Sequence, residues 1–440
     1  MGNKNNNLQS VQPPVRLSQC MIVKNEERNI RNALGWARNI AFEQIVVDTG
    51  STDHTVKLAK KAGARVFHFE WTNDFAAAKN YAIEQASGNW IAFLDADEYL
   101  SPADTKKLVL ILDQINTDTE FGKSRFAISC PWAHVDEKGK VFSVNSNERV
   151  FRSFMRYSGK IHEHLDIRPE NLARADDITI IHTGYSKTAV KASGKLDRNV
   201  KMLRAELAER PDDLNIKAYL AESLSGMPDV ACLAEAESLF REVIDGLNVS
   251  CLLKKRAYKY LINKLSENPE KLSECEQLSR KALSIFPGEL DLEYYLASIL
   301  NKKNEFGAAW ELLKRCEVNL TNAAAIDVSE VVTATPSLLF VQMANAALGL
   351  GDAVGAARYA AMALKENKTQ AGVLKPYIII LLNGGSSGEE IFSQLSGLYD
   401  MGDTNDLLFI ASAAKDCGAI SLARIAIGAA GRILGSRNGD

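Results

Sequence analysis

Four short apolar runs alternate with three amphipathic segments between Leu17 and Leu94, and that alternation constrains the fold more than any other property of the chain. Leu17–Val23 and Trp90–Leu94 read as buried strands, and Gln44–Val47 and Arg65–Phe69 as two more strands between them. Glu26–Arg38, Asp53–Ala62 and Asp74–Ala86 read as helices, the second stopped by Gly63 and the third by Ser87-Gly88. Strand and helix at this spacing imply parallel βαβ units with right-handed crossovers. Ligands of such open sheets bind beyond the carboxyl ends of the strands. Those ends carry Lys24-Asn25-Glu26, then Asp48 to Asp53, then Glu70-Trp71 with Asp74, and finally Asp95-Ala96-Asp97. Polar and acidic residues therefore converge on one edge.

The last of these ends is the most informative. In WIAFLDADEYL an apolar strand stops abruptly in two aspartates, Asp95 and Asp97. Side chains two apart on an extended strand point to the same side, roughly 6–7 Å apart. Ionised carboxylates that close repel each other unless a cation is near, and oxygen ligands of this kind suit magnesium or manganese better than zinc. A simple turn cap is the bland alternative, and the three other acidic strand ends weigh against it. Other ligand motifs are missing. No GxGxxG follows the first strand, there is no GxxxxGK[ST], and Leu100 and Lys106 stand where a calcium loop starting at Asp95 needs Gly and Glu.

A chain of 440 residues is too long for one core, so two or three domains are expected. A net charge of −3 predicts neither nucleic-acid binding nor adsorption to acidic membranes. The longest apolar run, around Tyr377–Leu382, is far short of the roughly 20 residues of a membrane span. The first residues are polar, with no apolar signal core, and Asn6 breaks a myristoylation pattern. Seven scattered cysteines without a CxxC pair fit reduced thiols in a cytoplasmic protein, not structural zinc. Residues 1–16, rich in Asn and Gln, read as a disordered lead-in.

Beyond Leu100 the pattern changes twice. Residues 101–125 read as one helix and a polar loop, and from Phe126 the chain is β-like again in FAISCPW, KVFSVN and RVFR. Lys187–Lys195 reads as a linker, after which every segment has helical period. Ala297, Ala309 and Cys316 are spaced like Ala344, Ala356 and Ala363, and like Ala411, Ala423 and Ala430. Small residues at those intervals mark the close approaches of paired helices in tetratricopeptide-like repeats. Ala282 with Pro287, and Ala221 with Ala236, fit two more, with insertions near Gly226–Cys232 and Thr321–Pro336. About five helical pairs in a superhelical array are expected, presenting a concave face to a peptide or another subunit. A plain helical lid that binds nothing is the competing expectation.

The segments CMIVKNEERNI, VVDTGSTDHTV, FEWTNDFAAAKNYAIEQASG and IAFLDADEYLSP, in this order, resemble family-2 glycosyltransferases of the GT-A fold. The likeness covers about residues 17–190 and is closest to the soluble branch with bacteriocin peptide S-glycosyltransferases and flagellin-type protein glycosyltransferases. It implies a Rossmann-like, mostly parallel α/β GT-A domain at 17–190, followed by the all-α tetratricopeptide-like superhelical domain at 191–435. The implied reaction is inverting transfer of a hexose, of Glc or GlcNAc type, from a UDP-sugar to a protein or peptide side chain, with Mn²⁺ or Mg²⁺. Transfer to a cell-surface or lipid-linked glycan is the runner-up. A repeat-based scaffold with a degenerate transferase domain is the reading from another class. Repeat modules of this type often dimerise, which makes a homodimer one expected assembly.

The resemblance also implies roles. Asp97 is the direct metal ligand, and Asp95 its partner toward ribose or sugar, with Ala96 between them on the donor side. Ile22, Lys24 and Glu26 fall where the family contacts the nucleoside, Asp48 where base or ribose is held, and Asp74 in the third nucleotide-side loop. Lys79 precedes Asn80 where the family usually shows Arg-Asn, so any phosphate contact there loses its bidentate geometry. In YSGKIHEHL the family's "IHE" element favours His162 over His164 as the histidine completing the metal site. Glu163 is the candidate general base, with Glu148, Asp136 and Asp166 as alternatives and an ordinary salt-bridging carboxylate as the plainer reading. Arg149 and Arg152 are candidate diphosphate ligands or simply solvated arginines, and His182 in IIHTGY falls near the site without a role.

Overall fold

The computed structural model describes residues 14–118, 122–137, 139–184, 194–321, 331–333, 335–370 and 372–437. The expected lead-in up to Pro13, the linker Lys187–Lys195 as far as Ser193, and most of the insertion at Thr321–Pro336 lie outside them. Two compact units divide the chain, Met1–Leu239 and Phe240–Asp440.

The first unit is built on β1 (Leu17–Val23), β2 (Glu43–Asp48), β3 (Arg65–His68) and β4 (Trp90–Phe93), all parallel, with α1 (Ile30–Gly35), α2 (Thr55–Lys61) and α3 (Phe75–Glu84) between them. β1, β4 and the last four residues of β2 are buried almost throughout, which explains why they read as continuous apolar runs. After β4 come β5 (Glu98–Leu100), α4 (Pro102–Thr117), β6 (Ala127–Val135) and β7 (Val141–Arg152). The pair β8 (Tyr157–Ser158) and β9 (His164–Leu165), then β10 (Leu172–Arg174) and β11 (Ile180–His182), complete the sheets. The main sheet runs β3-β2-β1-β4-β7-β6-β11-β5, with β10 beside β6. It is mixed but mostly parallel: β4–β7, β7–β6 and β11–β5 are the antiparallel pairs.

Three local features shape the edge at which the acidic residues gather. α1 starts at Ile30, later than the pattern around Glu26 predicts, because Asn25 takes a left-handed conformation (φ 59°) and Glu26 opens a turn. KVFSVN and RVFR form one strand, β7, rather than two. Its register against β6 slips between Ile128 (opposite Val150) and Cys130 (opposite Asn147), so Glu148 and Arg149 share the space opposite Ser129. Such a bulge re-aims side chains, and here it falls at Arg149. α3 packs through Ala76, Ala78, Ala82 and Ile83, and this close approach carries Lys79 inward with them to 2% exposure.

Two further helices, α5 (Lys195–Glu209) and α6 (Leu214–Ser225), and most of α7 (Val230–Asp245) also belong to the first unit. α5 and α6 brace the segment between β8 and β9. Lys160 Nζ pairs with Glu209 at 2.5 Å, and the His162 ring stacks on Tyr219 at 4.0 Å with an 8° interplanar angle. His162 is itself left-handed (φ 54°).

The second unit contains α8 (Cys251–Leu265), α9 (Leu272–Ile285), α10 (Leu290–Lys302), α11 (Phe306–Thr321), α12 (Pro336–Gly349), α13 (Ala353–Glu366), α14 (Leu374–Asn383), α15 (Gly388–Leu395), α16 (Thr404–Asp416) and α17 (Ile420–Arg437). Successive helices pack as α8 on α9, α10 on α11, α12 on α13 and α16 on α17. The small residues singled out by spacing, Ala297, Ala309 and Cys316, Ala344, Ala356 and Ala363, Ala411, Ala423 and Ala430, are all buried at these contacts. Among the described residues no helix is long and apolar enough to cross a membrane.

Candidate active site

The two aspartates after β4 have unlike surroundings. Asp95 faces cations. Its Oδ2 accepts from Arg149 Nη2 at 2.9 Å, and its Oδ1 lies 3.4 Å from Lys79 Nζ. Arg149 also pairs with buried Glu98 at 2.6 Å, whose other oxygen accepts from the Asp95 backbone N–H at 2.9 Å. Lys79 also pairs with Glu163 at 2.7 Å and lies 5.1 Å from the centres of the Phe93 and Tyr157 rings. Burial alone would raise the Asp95 carboxyl, but the Lys79 and Arg149 charges outweigh it and hold that group below the ordinary carboxylate range. Burial likewise would lower the Lys79 ammonium, and Asp95 with Glu163 reverse this and push it up. Glu98 is pushed up by burial, against the pull of Arg149. Asp95 still shows 36% of its side chain to solvent, so this compensated cluster has one open carboxylate.

Asp97 faces an imidazole. Its Oδ2 lies 3.2 Å from His182 Nε2, at the end of β11. The pairing is set by backbone: His182 stands opposite Glu98 in the β11–β5 ladder, and the Thr183 N–H and hydroxyl both donate to the Asp97 carbonyl, at 3.0 and 3.1 Å. A Cβ added at Gly184 would stand 1.9 Å from Asp97 Oδ2 and 2.8 Å from His182 Nε2. Glycine therefore lets the backbone pass close beside both donor atoms, where a Cβ would displace the Asp97 carboxylate. A carboxylate and an imidazole side by side fit a divalent cation of the manganese type. Among the described residues no group of three or more His, Cys, Asp and Glu could hold an ion by itself.

Gly184 does not occupy the left-handed region, so alanine is tolerated there by the backbone. Gly184→Ala is expected to weaken Mn²⁺ binding at least about tenfold, while the melting temperature stays within about 2 °C of wild type. Titration of Mn²⁺ by electron paramagnetic resonance, with a thermal melt, checks both.

Behind His182 lies a second histidine. His134 Nδ1 and His182 Nδ1 are 2.8 Å apart, and Asn145 Nδ2 is 3.2 Å from His134 Nε2. Trp132 lies against both rings, at 5.0 Å from His182 and 4.3 Å from His134, and the Arg149 guanidinium stands 5.5 Å from the Trp132 ring centre. Burial, followed by the neighbouring His182, lowers the His134 imidazole to about 4.

The other residues singled out by sequence divide between the site and its scaffold. Asp48 is buried at the end of β2 and accepts from the backbone N–H groups of Gly50 and Ser51 at 3.2 Å, so it orders the second loop. Glu26 is half-buried and accepts from the Asn29 side chain at 2.8 Å; Lys24 is exposed, and Ile22 is half-buried on β1. Asp74 caps α3 by accepting from Ala77 N–H at 2.8 Å, and Ala96 is buried between the aspartates. Lys79 makes its ion pairs with protein carboxylates. Asn80 clamps β8, exchanging two 2.9 Å hydrogen bonds with the Tyr157 backbone. The histidine set beside Asp97 is His182, whereas His162 has its ring on Tyr219 and His164 pairs with Ser158 at 3.3 Å. Glu148 is pushed up by burial and bonds with the Ser129 hydroxyl. Asp136 turns a hairpin, Asp166 is exposed, and Arg152 stacks 4.2 Å over Trp90, at the opposite end of β4 from the aspartates.

Trp132, His134, Asn145 and Gly184 were not read from sequence. The first two were the most legible, because Trp132 and His134 are two apart on one strand and share a face.

Residues 18–174, which carry these strand ends, match the family Glycosyl transferase family 2. The first unit contains a family-2 glycosyltransferase domain. A TPR repeat-containing protein of Synechococcus elongatus is 31% identical over 223 residues, 48% of this chain and 52% of the relative. The SPbeta prophage-derived glycosyltransferase SunS of Bacillus subtilis is 28% identical over 203 residues, 44% of this chain and 45% of SunS. The chain thus spans about half the length of these curated relatives. Residues 1–349 of S. aureus TarS, crystallised with UDP-GlcNAc, superpose with a TM-score of 0.32 at 16% identity, covering 66% of this chain and 89% of that one. The Asp95-Ala96-Asp97 segment lies within the matched residues, just beyond the fourth strand of the sheet.

Proposed function

We propose that the chain is a metal-dependent inverting glycosyltransferase that moves a hexose, of Glc or GlcNAc type, from a UDP-sugar to a side chain of a protein or peptide. The observation that carries this reading is the asymmetry of the two aspartates. Asp95 already has its charge matched by Lys79 and Arg149, whereas Asp97 sits with the His182 imidazole beside Gly184, where a side chain would displace its carboxylate. Asp97 and His182 would hold Mn²⁺ or Mg²⁺. When bound, such an ion acts as a Lewis acid that stabilises the charge of a departing diphosphate.

The protein's own groups account for the rest. Asp95, held in place by two cations and open on one side, is positioned to accept hydrogen bonds from ribose or sugar hydroxyls. Ile22, Lys24, Glu26 and Asp48 belong to the first two strand ends and would frame the nucleoside. Glu163 is the proposed general base, and Lys79 fixes its carboxylate at 2.7 Å. Lys79 thereby acts as a positioning residue for both Asp95 and Glu163. Support for a protein or peptide acceptor comes from the helical second unit, whose repeated small residues build the paired-helix contacts of a repeat array.

The direct test is UDP release. Purified protein with Mn²⁺ is expected to release UDP from UDP-Glc or UDP-GlcNAc, slowly with water as acceptor. EDTA should stop the release and added Mn²⁺ restore it. Failure to release UDP from any common UDP-sugar overturns the donor assignment. Mass spectrometry of proteins co-expressed with the wild type and with Asp97→Asn then reads out the acceptor as a hexose-sized mass shift present only with the former.

A further inference from the structure

Resting on the Asp97–His182 reading, we infer that His134 is a positioning residue for the metal site, setting which nitrogen of His182 carries the proton. The geometry is a continuous chain: Asn145 Nδ2 to His134 Nε2 at 3.2 Å, His134 Nδ1 to His182 Nδ1 at 2.8 Å, and His182 Nε2 to Asp97 Oδ2 at 3.2 Å. An imidazole binds a cation only through a nitrogen that carries no proton. For Nε2 of His182 to do so, its Nδ1 must keep the proton and give it to an acceptor. At 2.8 Å His134 Nδ1 is such an acceptor. His134 then carries its own proton on Nε2, and the Asn145 amide turns its oxygen towards that N–H. The two ends of an amide occupy nearly the same positions, so this costs no rearrangement.

The same chain can run the other way. With His134 donating from Nδ1, His182 protonates Nε2 and hydrogen-bonds Asp97, while the Asn145 NH₂ donates to His134. Two neutral imidazoles carry the same number of protons in both arrangements. His134 therefore holds the Asp97–His182 pair together when no ion is present and releases the Nε2 lone pair when one enters. Trp132, against both rings, prevents either from turning out of line. A carboxylate in place of His134 could serve only one of these directions, and an apolar residue neither.

The experiment measures Mn²⁺ binding by electron paramagnetic resonance, without donor and again with UDP, in the full chain. His134→Leu is expected to raise the apparent Kd for Mn²⁺ about 10- to 100-fold, the usual cost of losing an outer partner of a metal-binding histidine. His134→Asn retains an amide able both to accept and to donate, and should recover most of that loss. Thermal melts of both variants separate unfolding from lost affinity, and the rescue by Asn keeps the test valid if His134→Leu is unstable. If wild type binds Mn²⁺, His182→Ala loses it and His134→Leu binds like wild type, the inference fails while the metal site stands. Equal weakening by His134→Leu and His134→Asn also overturns it. If wild type binds no Mn²⁺, or His182→Ala binds as well as wild type, the metal reading itself falls and takes the inference with it.

Discussion

Asp97→Asn is expected to lower metal-dependent UDP release about a hundred- to ten-thousandfold while leaving the melting temperature close to wild type. The magnitude follows from losing the several kcal/mol of charge stabilisation that a bound cation supplies, at tenfold per 1.4 kcal/mol. The unchanged fold follows from what Asp97 does locally. Its backbone carbonyl accepts from Thr183, which ties β11 to this turn, and asparagine preserves that contact. Its carboxylate is 26% exposed and faces an imidazole, so making it neutral orphans no buried charge. Asp95→Asn is expected to behave differently. It removes a carboxylate shared by Lys79 and Arg149, so part of its effect should appear as lost stability, with the metal affinity less affected. Measuring Mn²⁺ affinity, turnover and melting temperature on both variants decides the matter. Equal loss of Mn²⁺ affinity in the two would return the pair to symmetry and sink the division of labour proposed for them.

How much of this was legible in the sequence depends on how local each signal was. The strands β1, β2 and β4 were, because strands buried on both faces are written as uninterrupted apolar runs, while β3, an edge strand with no buried residue, was placed by the alternation around it. Asp95 and Asp97 were visible because they follow one of those runs. The repeat contacts of the second unit were visible too, since Ala297, Ala309 and Cys316 recur with the spacing that buries them. What stayed hidden is set by pairing across long separations. Choosing between His162 and His182 requires knowing that β11 returns beside β5, which brings residues 97 and 182 together. The His134–His182 contact similarly spans 48 residues and joins two strands that lie parallel. Lys79 was ambiguous for another reason. A lysine directly after three alanines on a helix does not show which way it faces, and the close approach allowed by Ala76, Ala78 and Ala82 draws it inward. The resemblance placed it among donor contacts, and the structure places it between two carboxylates.

Lys79→Met should therefore be felt first as lost stability. Lys79 is 2% exposed, Glu163 16% and Asp95 36%, so removing the ammonium leaves the nearly buried Glu163 carboxylate without its cation and takes from the half-open Asp95 carboxylate one of its two. Breaking a fully buried ion pair costs about 3–5 kcal/mol. Solvent at Asp95, and its remaining bond to Arg149, bring the expectation down to about 2–4 kcal/mol, a fall of roughly 4–16 °C in melting temperature for a unit of this size. A double-mutant cycle locates the cost. In a Glu163→Gln background the Lys79→Met penalty should shrink, because the charge it would orphan is already gone. The pH dependence has a definite sign. In the wild type the Asp95 carboxyl is held low, so it contributes stability above the unfolded carboxylate range that is lost only as pH falls through the depressed folded value. Without Lys79 that carboxyl is held less far below the usual range and so accepts its proton at higher pH. The gap between variant and wild type should accordingly hold steady from neutral pH to about 4, where the Asp95 carboxyl is ionised in both, and narrow only at lower pH, as the variant takes up its proton before the wild type does. A gap that stays constant as the pH falls well below about 4 would mean that Lys79 stabilises the fold through its packing against Phe93 and Tyr157 and not through its charge.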